Sequence, residues 1–435
     1  MSEANKTPLP TVGLILLGTC TTQFLLSFSF NMTSALTPEL TSMWDFSIFL
    51  IGLMYMFVAL PGIAWMYAAN KLVPRIGIVR VYLLVTSVVA IGLFVSFGAA
   101  ISTINEWRKF FLLGGQLITS ASVAVAVCID AIQIETFRNP SRTLPFSLIG
   151  SAQIISDQLG WFAAYLSMPL LMDISLSVAV ASVAPVAITM VLSVLGTQYF
   201  FDDVRKSGSI QNKFITGSTV SKTPMYTIYA LAGTGVAMGA LDVFRRFMSP
   251  IWMAAFNIPP ELVDQQIAWF IIPGIFFSIL AGLMGWSIIA MLVSLIISFL
   301  SFTGTAAFVV IGSGTIFGNP TTGGFAKEAA MCFVAGNALF SVLTTAITPL
   351  AVTPEDTLKV CMAIEIMRML SQTVFSLLFG ILMEIGWGHL NILIIMGVII
   401  AGSSAAAFYT LMYLVPKKTK KDDDSPLNMT VLQTV

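Results

Sequence analysis

Long apolar runs alternate with short polar islands along the whole chain. A helix needs about 20 apolar residues to cross a bilayer. Twelve stretches reach that length, at roughly 11–35, 47–69, 77–101, 110–134, 144–168, 175–197, 225–248, 265–284, 287–311, 326–350, 358–382 and 389–415. The runs are continuously apolar and lack the ten-residue alternation of barrel strands, so the pattern predicts an all-α membrane protein with twelve transmembrane helices. The boundary between spans 8 and 9 is the least marked, because "GLMGWSIIAMLVSL" holds almost no polar residue.

Composition agrees. The chain is 57% apolar and 10% charged, whereas a soluble domain is nearer to half and a quarter. The net charge is zero, which gives no sign of a nucleic-acid partner. Cys20, Cys128, Cys332 and Cys361 lie in or beside apolar runs without paired spacing, so neither a disulfide framework nor a metal site is expected, and no cofactor motif occurs. Cytoplasmic loops retain positive charge. With the N-terminus inside, 15 of the 21 Lys and Arg fall on cytoplasmic segments, 5 fall outside, and Arg368 lies within span 11. Both termini are therefore expected to be cytoplasmic. The sequence does not say in which membrane. The tail "PKKTKKDDDSPLNMTVLQTV" is expected to be disordered, its basic part lying against anionic lipid headgroups.

The longest interior polar stretch, 199–224, has the mixed charge and the Ser, Gly and Thr content of a linker. It divides the chain into an N-terminal tail (1–10), a six-helix bundle (11–198), a second bundle (225–416) and a C-terminal tail (417–435). The island between spans 2 and 3, "NKLVPRIGIVR", places Leu72, Arg75 and Gly77 at the spacing of a Gly-x-Leu-x-Asp-Arg-x-Gly-Arg-Arg signature, with Arg80 one position beyond its last Arg. The loop after span 4, "IETFRNPSR", keeps Glu135 and Arg142 seven residues apart, as in a Glu-x-x-Pro-x-x-x-Arg element. Layout and both elements resemble the major facilitator superfamily, the second element its sugar-porter members. The resemblance implies two pseudo-symmetric six-helix bundles that rock about a central site. It also implies a cytoplasmic gate of salt bridges built from Arg75, Arg80, Glu135 and Arg142, joined by Asp130 near the inner end of span 4. Loop 10–11 offers Glu355 and Asp356 as the pseudo-equivalent cluster.

Polar groups inside the runs carry the remaining expectations, because an ionisable side chain in hydrocarbon is costly unless it meets a cavity or a partner. Span 1 places Thr19, Gln23, Ser27 and Asn31 at i+4 spacing, a polar stripe expected to line the substrate path. Span 5 places Gln153 and Asp157 on one face. Thr234 in span 7, Asn337 in span 10 and Gln372 in span 11 complete the candidate substrate-binding set, with Tyr226 and Tyr229 as further hydrogen-bonding groups. Asp157 and Glu365 are the candidate proton-coupling residues. Asp242 is expected to bridge locally to Arg245 or Arg246 near the outer mouth, and Glu365 to Arg368, as structural pairs at i+3 and i+4.

Other classes fit less well. The single His, His389, lies at the edge of span 12, and neither HExxH nor GxSxG occurs, which argues against zinc proteolysis and Ser-His hydrolysis. Nothing resembles a carbonyl selectivity filter, and twelve spans in two halves suit alternating access better than a channel or receptor. The sequence thus leads to a transporter of a small organic solute. Sugars, organic anions such as monocarboxylates, and drug-like amphipaths all remain open as cargo.

Overall fold

The computed structural model describes residues 9–137, 146–206, 223–285, 287–312, 325–352, 356–386 and 388–414, and all its regular structure is helical. Eleven helical segments are long and apolar enough to cross a membrane. The twelfth span, Phe146–Met172, has 27 residues but carries Gln153, Ser156, Asp157 and Gln158 in its middle. Spans 1 to 3 are Leu9–Ala35, Ile48–Ile76 and Ile78–Ile101. Span 4 is built from Asn105–Thr119 and Ser122–Phe137, span 5 is Phe146–Met172, and span 6 is built from Leu176–Ala181 and Val183–Lys206. Spans 7 to 12 are Met225–Arg246, Pro260–Met284, Ile288–Gly312, Ala326–Ala351, Thr357–Glu384 and Gly388–Tyr409. The weakly marked boundary between spans 8 and 9 falls at Gly285, which caps span 8. Span 6 runs on to Lys206, into the stretch read as linker, and 207–222 lie outside the described residues.

Alternation of direction puts the start of span 1 and the end of span 12 at one face, here the termini face, and the connections between spans 1 and 2 and between spans 7 and 8 at the opposite face. Large apolar side chains such as Leu17, Leu170, Leu192 and Phe276 are exposed on the outside of the bundle. Polar side chains such as Gln158, Ser278, Ser298 and Gln372 are buried within it. Lipid is as apolar as these outer side chains and offers no hydrophobic drive for helix association, so close packing and interhelical hydrogen bonds hold the spans together. Spans 2 and 11 meet across the two halves at small residues. A Cβ on Gly52 would sit 2.7 Å from the Ser376 carbonyl oxygen and 3.3 Å from the Gly380 Cα. Spans 5 and 8 form the second seam between the halves, where Ser147 Oγ donates to the Gly282 carbonyl at 2.8 Å and Ser151 Oγ to the Ser278 carbonyl at 2.6 Å.

Span 7 is broken at Phe247 and continues as Met248–Phe256. Pro250 explains part of the break: it has no N–H for the Arg246 carbonyl four residues earlier, and a carbonyl left bare in a membrane is costly. Ser34 Oγ of span 1 donates to that carbonyl at 2.5 Å, so a local defect in one half becomes a hydrogen bond to the other. Tyr165 Oη shares a 2.6 Å hydrogen bond with Ser34, and Ser249 Oγ donates to the buried Asp264 carboxylate at 2.6 Å. Phe247 stacks on Phe379 at 4.1 Å and meets Tyr55 edge-on at 5.3 Å, and all three rings are buried. Of these contacts, Ser34 with the Arg246 carbonyl and Tyr55 with Phe247 cross between the halves, toward the opposite face.

Candidate functional site

A cavity of about 170 Å³ lies between the halves, lined by spans 1, 2, 4 and 5 from one and spans 7, 10 and 11 from the other. Asp157 and Gln372, both on its wall, sit near the middle of their helices, which places the cavity near mid-membrane. Of the residues expected to bind substrate, Gln23, Ser27, Asn31, Gln153, Asp157, Asn337 and Gln372 line it.

Thr19 and Thr234 do not. An i+4 step on a 3.6-residue helix advances by about 40°, so a stripe from Thr19 to Asn31 wraps roughly a third of the way round. Thr19 is consequently turned toward span 4, is fully buried, and accepts from Gln133 Nε2 at 3.2 Å. Thr234 lies closer to the start of span 7, where Tyr409 of span 12 and Thr344 of span 10 cover it, and donates to the Leu231 carbonyl at 2.6 Å. Tyr226 and Tyr229 are 49% and 68% exposed on the outer surface and point away from the cavity.

The charged residues meet differently from the expected local pairs. Arg245 lies in the cavity wall, not at the mouth, because span 7 continues ten residues past Arg246, roughly 15 Å of helix. Its Nη1 donates to Asp157 Oδ2 at 2.7 Å, and its guanidinium covers the Trp161 ring at 4.5 Å. Both partners belong to the other half. Asp242 is bound by Arg368, whose Nε donates to Asp242 Oδ2 at 2.6 Å while its Nη1 donates to Glu365 Oε1 at 3.1 Å. The expected Glu365–Arg368 contact is thus present as one arm of a three-residue cluster. Arg246 stands between the Phe30 and Tyr55 rings, at 5.2 and 5.1 Å from their centres.

Among the residues assigned to the gate or to a salt bridge, Asp130, Asp242, Arg245 and Arg368 line the cavity. Asp130 accepts from Gln153 Nε2 at 3.0 Å. Arg75 and Arg80 are exposed at the termini face, and Gly77 separates spans 2 and 3 with a φ of 87° that favours glycine. Arg142, Glu355 and the side chain of Glu135 lie outside the described residues. Asp356 is buried and accepts from both the backbone N–H and the Oγ1 of Thr223 at 2.9 Å, tying loop 10–11 to the start of span 7. Phe30, Met238 and Ser341 also line the cavity and escaped the sequence reading, and Arg246, expected near the outer mouth, lines it as well. Arg246 was legible as an intramembrane cation, whereas Phe30 and Met238 carry no signal that separates them from packing residues.

No family model and no curated protein matches the chain in sequence. Solved structures match nearly its whole length. The major facilitator superfamily proton:xylose symporter XylE, bound to 6-bromo-6-deoxy-D-glucose, superposes with a TM-score of 0.67 at 11% identity, covering 93% of this chain and 96% of that one. The nucleoside transporter NupG superposes at 0.60 with 13% identity, over 93% of this chain and 99% of its own. A D-xylose-proton symporter gives 0.62 at 12% identity, over 92% and 98%. The chain is a multi-pass membrane protein with the major facilitator fold.

Proposed function

We propose that the protein is a secondary transporter that moves a small organic solute by rocking its two halves about the central cavity. The observation that carries this reading is the mid-membrane cavity itself, lined from both halves and joined across them by the Asp157–Arg245 ion pair. A carrier needs such a site at the interface of two repeats, exposed to one face at a time. The contacts of Ser34 with the Arg246 carbonyl and of Tyr55 with Phe247, toward the opposite face, are what would have to part for the cavity to open there.

In this reading Asp157 couples solute movement to protons. A proton on Asp157 removes the charge that holds Arg245, so the inter-half pair weakens when the proton binds and reforms when it leaves. Glu365 stands in the same relation to Arg368. The excess of Lys and Arg on the termini face supports cytoplasmic termini. Arg75, Arg80, Glu135 and Arg142 are assigned to the gate at that face by their likeness to the family elements.

The test needs no known solute. Ser341, on the cavity wall, is replaced by Cys in a chain whose four native Cys are Ser, and the protein is reconstituted in vesicles of fixed orientation. A membrane-impermeant maleimide should modify the new thiol from either face, while vesicles stay impermeable to ions of similar size. Labelling from one face only, over long exposure, would remove alternating access; leakage to small ions would point to a channel.

A further inference from the structure

The charges around the cavity do not balance. Four carboxylates, of Asp130, Asp157, Asp242 and Glu365, share its wall with three guanidiniums, of Arg245, Arg246 and Arg368. Asp157 is paired with Arg245, and Asp242 and Glu365 share Arg368. Asp130 forms no ion pair among the described residues, and its hydrogen bond comes from the neutral Gln153 amide at 3.0 Å. An intramembrane carboxylate served by one neutral donor is expensive.

A second acceptor on the same wall is also unanswered. Gln23 spends its Nε2 on Asp157 Oδ1 at 3.4 Å, which settles which end of the amide is which, and its Oε1 is buried without a partner. The cavity wall therefore carries negative charge in excess, and behind it lies one acceptor oxygen that nothing answers. An anion is the wrong complement: at Arg245 or Arg368 it would have to displace Asp157 or Asp242, and at Arg246 it would add a fifth negative charge to a wall that already holds four carboxylates against three guanidiniums. A protonated amine, with positive charge, several N–H donors and no acceptor, is the right one.

We propose that the carried solute bears a protonated amine and that Asp130 binds its ammonium group. This rests on the carrier reading above. It narrows that reading from small organic solutes to amine-bearing ones, with Asp130 as the specificity-determining residue.

Thermal unfolding of the full-length protein in detergent, followed by Trp fluorescence, tests the idea with two matched probe sets. One is glucosamine, glucose and glucuronate; the other is ethanolamine, ethylene glycol and glycolate. Within at least one set the amine should raise the unfolding temperature more than its neutral and acidic counterparts. Asp130→Asn should weaken the apparent affinity for that amine about tenfold or more, as expected for a lost charged hydrogen bond. Asp130→Glu should keep the preference, which separates loss of the anchor from loss of the fold.

A neutral or acidic member that stabilises as well as the amine would overturn the proposal and leave the carrier reading intact. So would an amine response unchanged in Asp130→Asn, or no response to either amine. One-sided labelling at Ser341→Cys would instead sink the carrier reading, whatever the probes do.

Discussion

Arg245 Nη1 lies 2.7 Å from Asp157 Oδ2, and the two residues stand on opposite halves of the bundle, 88 positions apart in the chain. Both side chains are mostly withdrawn from solvent, at 11% and 16% exposure. Breaking such a pair by removing one partner leaves a buried charge uncompensated, at a cost of about 3–5 kcal/mol. Asp157→Asn and Arg245→Gln should each lower the unfolding temperature markedly. The double variant should lose less than the sum of the two, because it strands no charge. Additive losses in that cycle would show that the pair does not hold the halves together.

Arg368 serves two carboxylates with two different nitrogens, Nε for Asp242 and Nη1 for Glu365. A lysine has one nitrogen and no fixed fork, so Arg368→Lys is not conservative here. Stability and transport should fall in the order Glu365→Gln, Arg368→Lys, Arg368→Ala, the last leaving two carboxylates with no shared cation. Wild-type behaviour of Arg368→Lys would mean that the cluster needs only the charge.

Ser34 donates to a carbonyl that Pro250 has deprived of its helical partner. Ser34→Ala should cost about 1–3 kcal/mol, the penalty for a buried acceptor left bare. Pro250→Ala restores an N–H four residues after Arg246, so adding it to Ser34→Ala should recover much of that loss. Denaturation of the single and double variants decides the matter; a double variant no more stable than Ser34→Ala would show that Pro250 does not cause the vacancy.

Glu39, on the short helix Thr37–Met43 outside the spans, has a buried Oε2 without a hydrogen-bond partner. Burial raises its carboxyl pKa above the ordinary 4.5, with a smaller opposing effect from its own backbone N–H. A carboxyl raised by folding holds its proton more tightly in the folded state. Its contribution is therefore favourable below about pH 4.5 and is lost as pH climbs through the raised value. Unfolding temperatures recorded across that window should fall less steeply in Glu39→Gln than in the wild-type chain. Parallel slopes would dissociate Glu39 from the effect.

Much of the site was readable before the fold. The intramembrane polar residues of spans 1, 5, 10 and 11 pointed to Gln23, Ser27, Asn31, Gln153, Asp157, Asn337 and Gln372, all of which reach one cavity. The rule that hydrocarbon excludes unanswered polar groups is strong enough to act residue by residue. It failed at Thr19 and Thr234 because spacing along one helix does not say which neighbour faces it, nor how far the stripe has rotated.

What the sequence determined by itself was the number of spans, the two halves and the inward turn of the polar residues. Each of these follows from hydrophobic length and polarity, which are local properties. Which charge meets which was decided only in three dimensions. Asp242 had Arg245 and Arg246 within one helical turn, yet its partner is Arg368, 126 residues away. Arg245 turned instead to Asp157 on the other half, because span 7 runs on past Phe247 and sets the Arg pair at the depth of the cavity. In a medium of low dielectric a charge is answered by whatever opposite charge packing brings within about 3 Å, and packing is a property of the whole bundle.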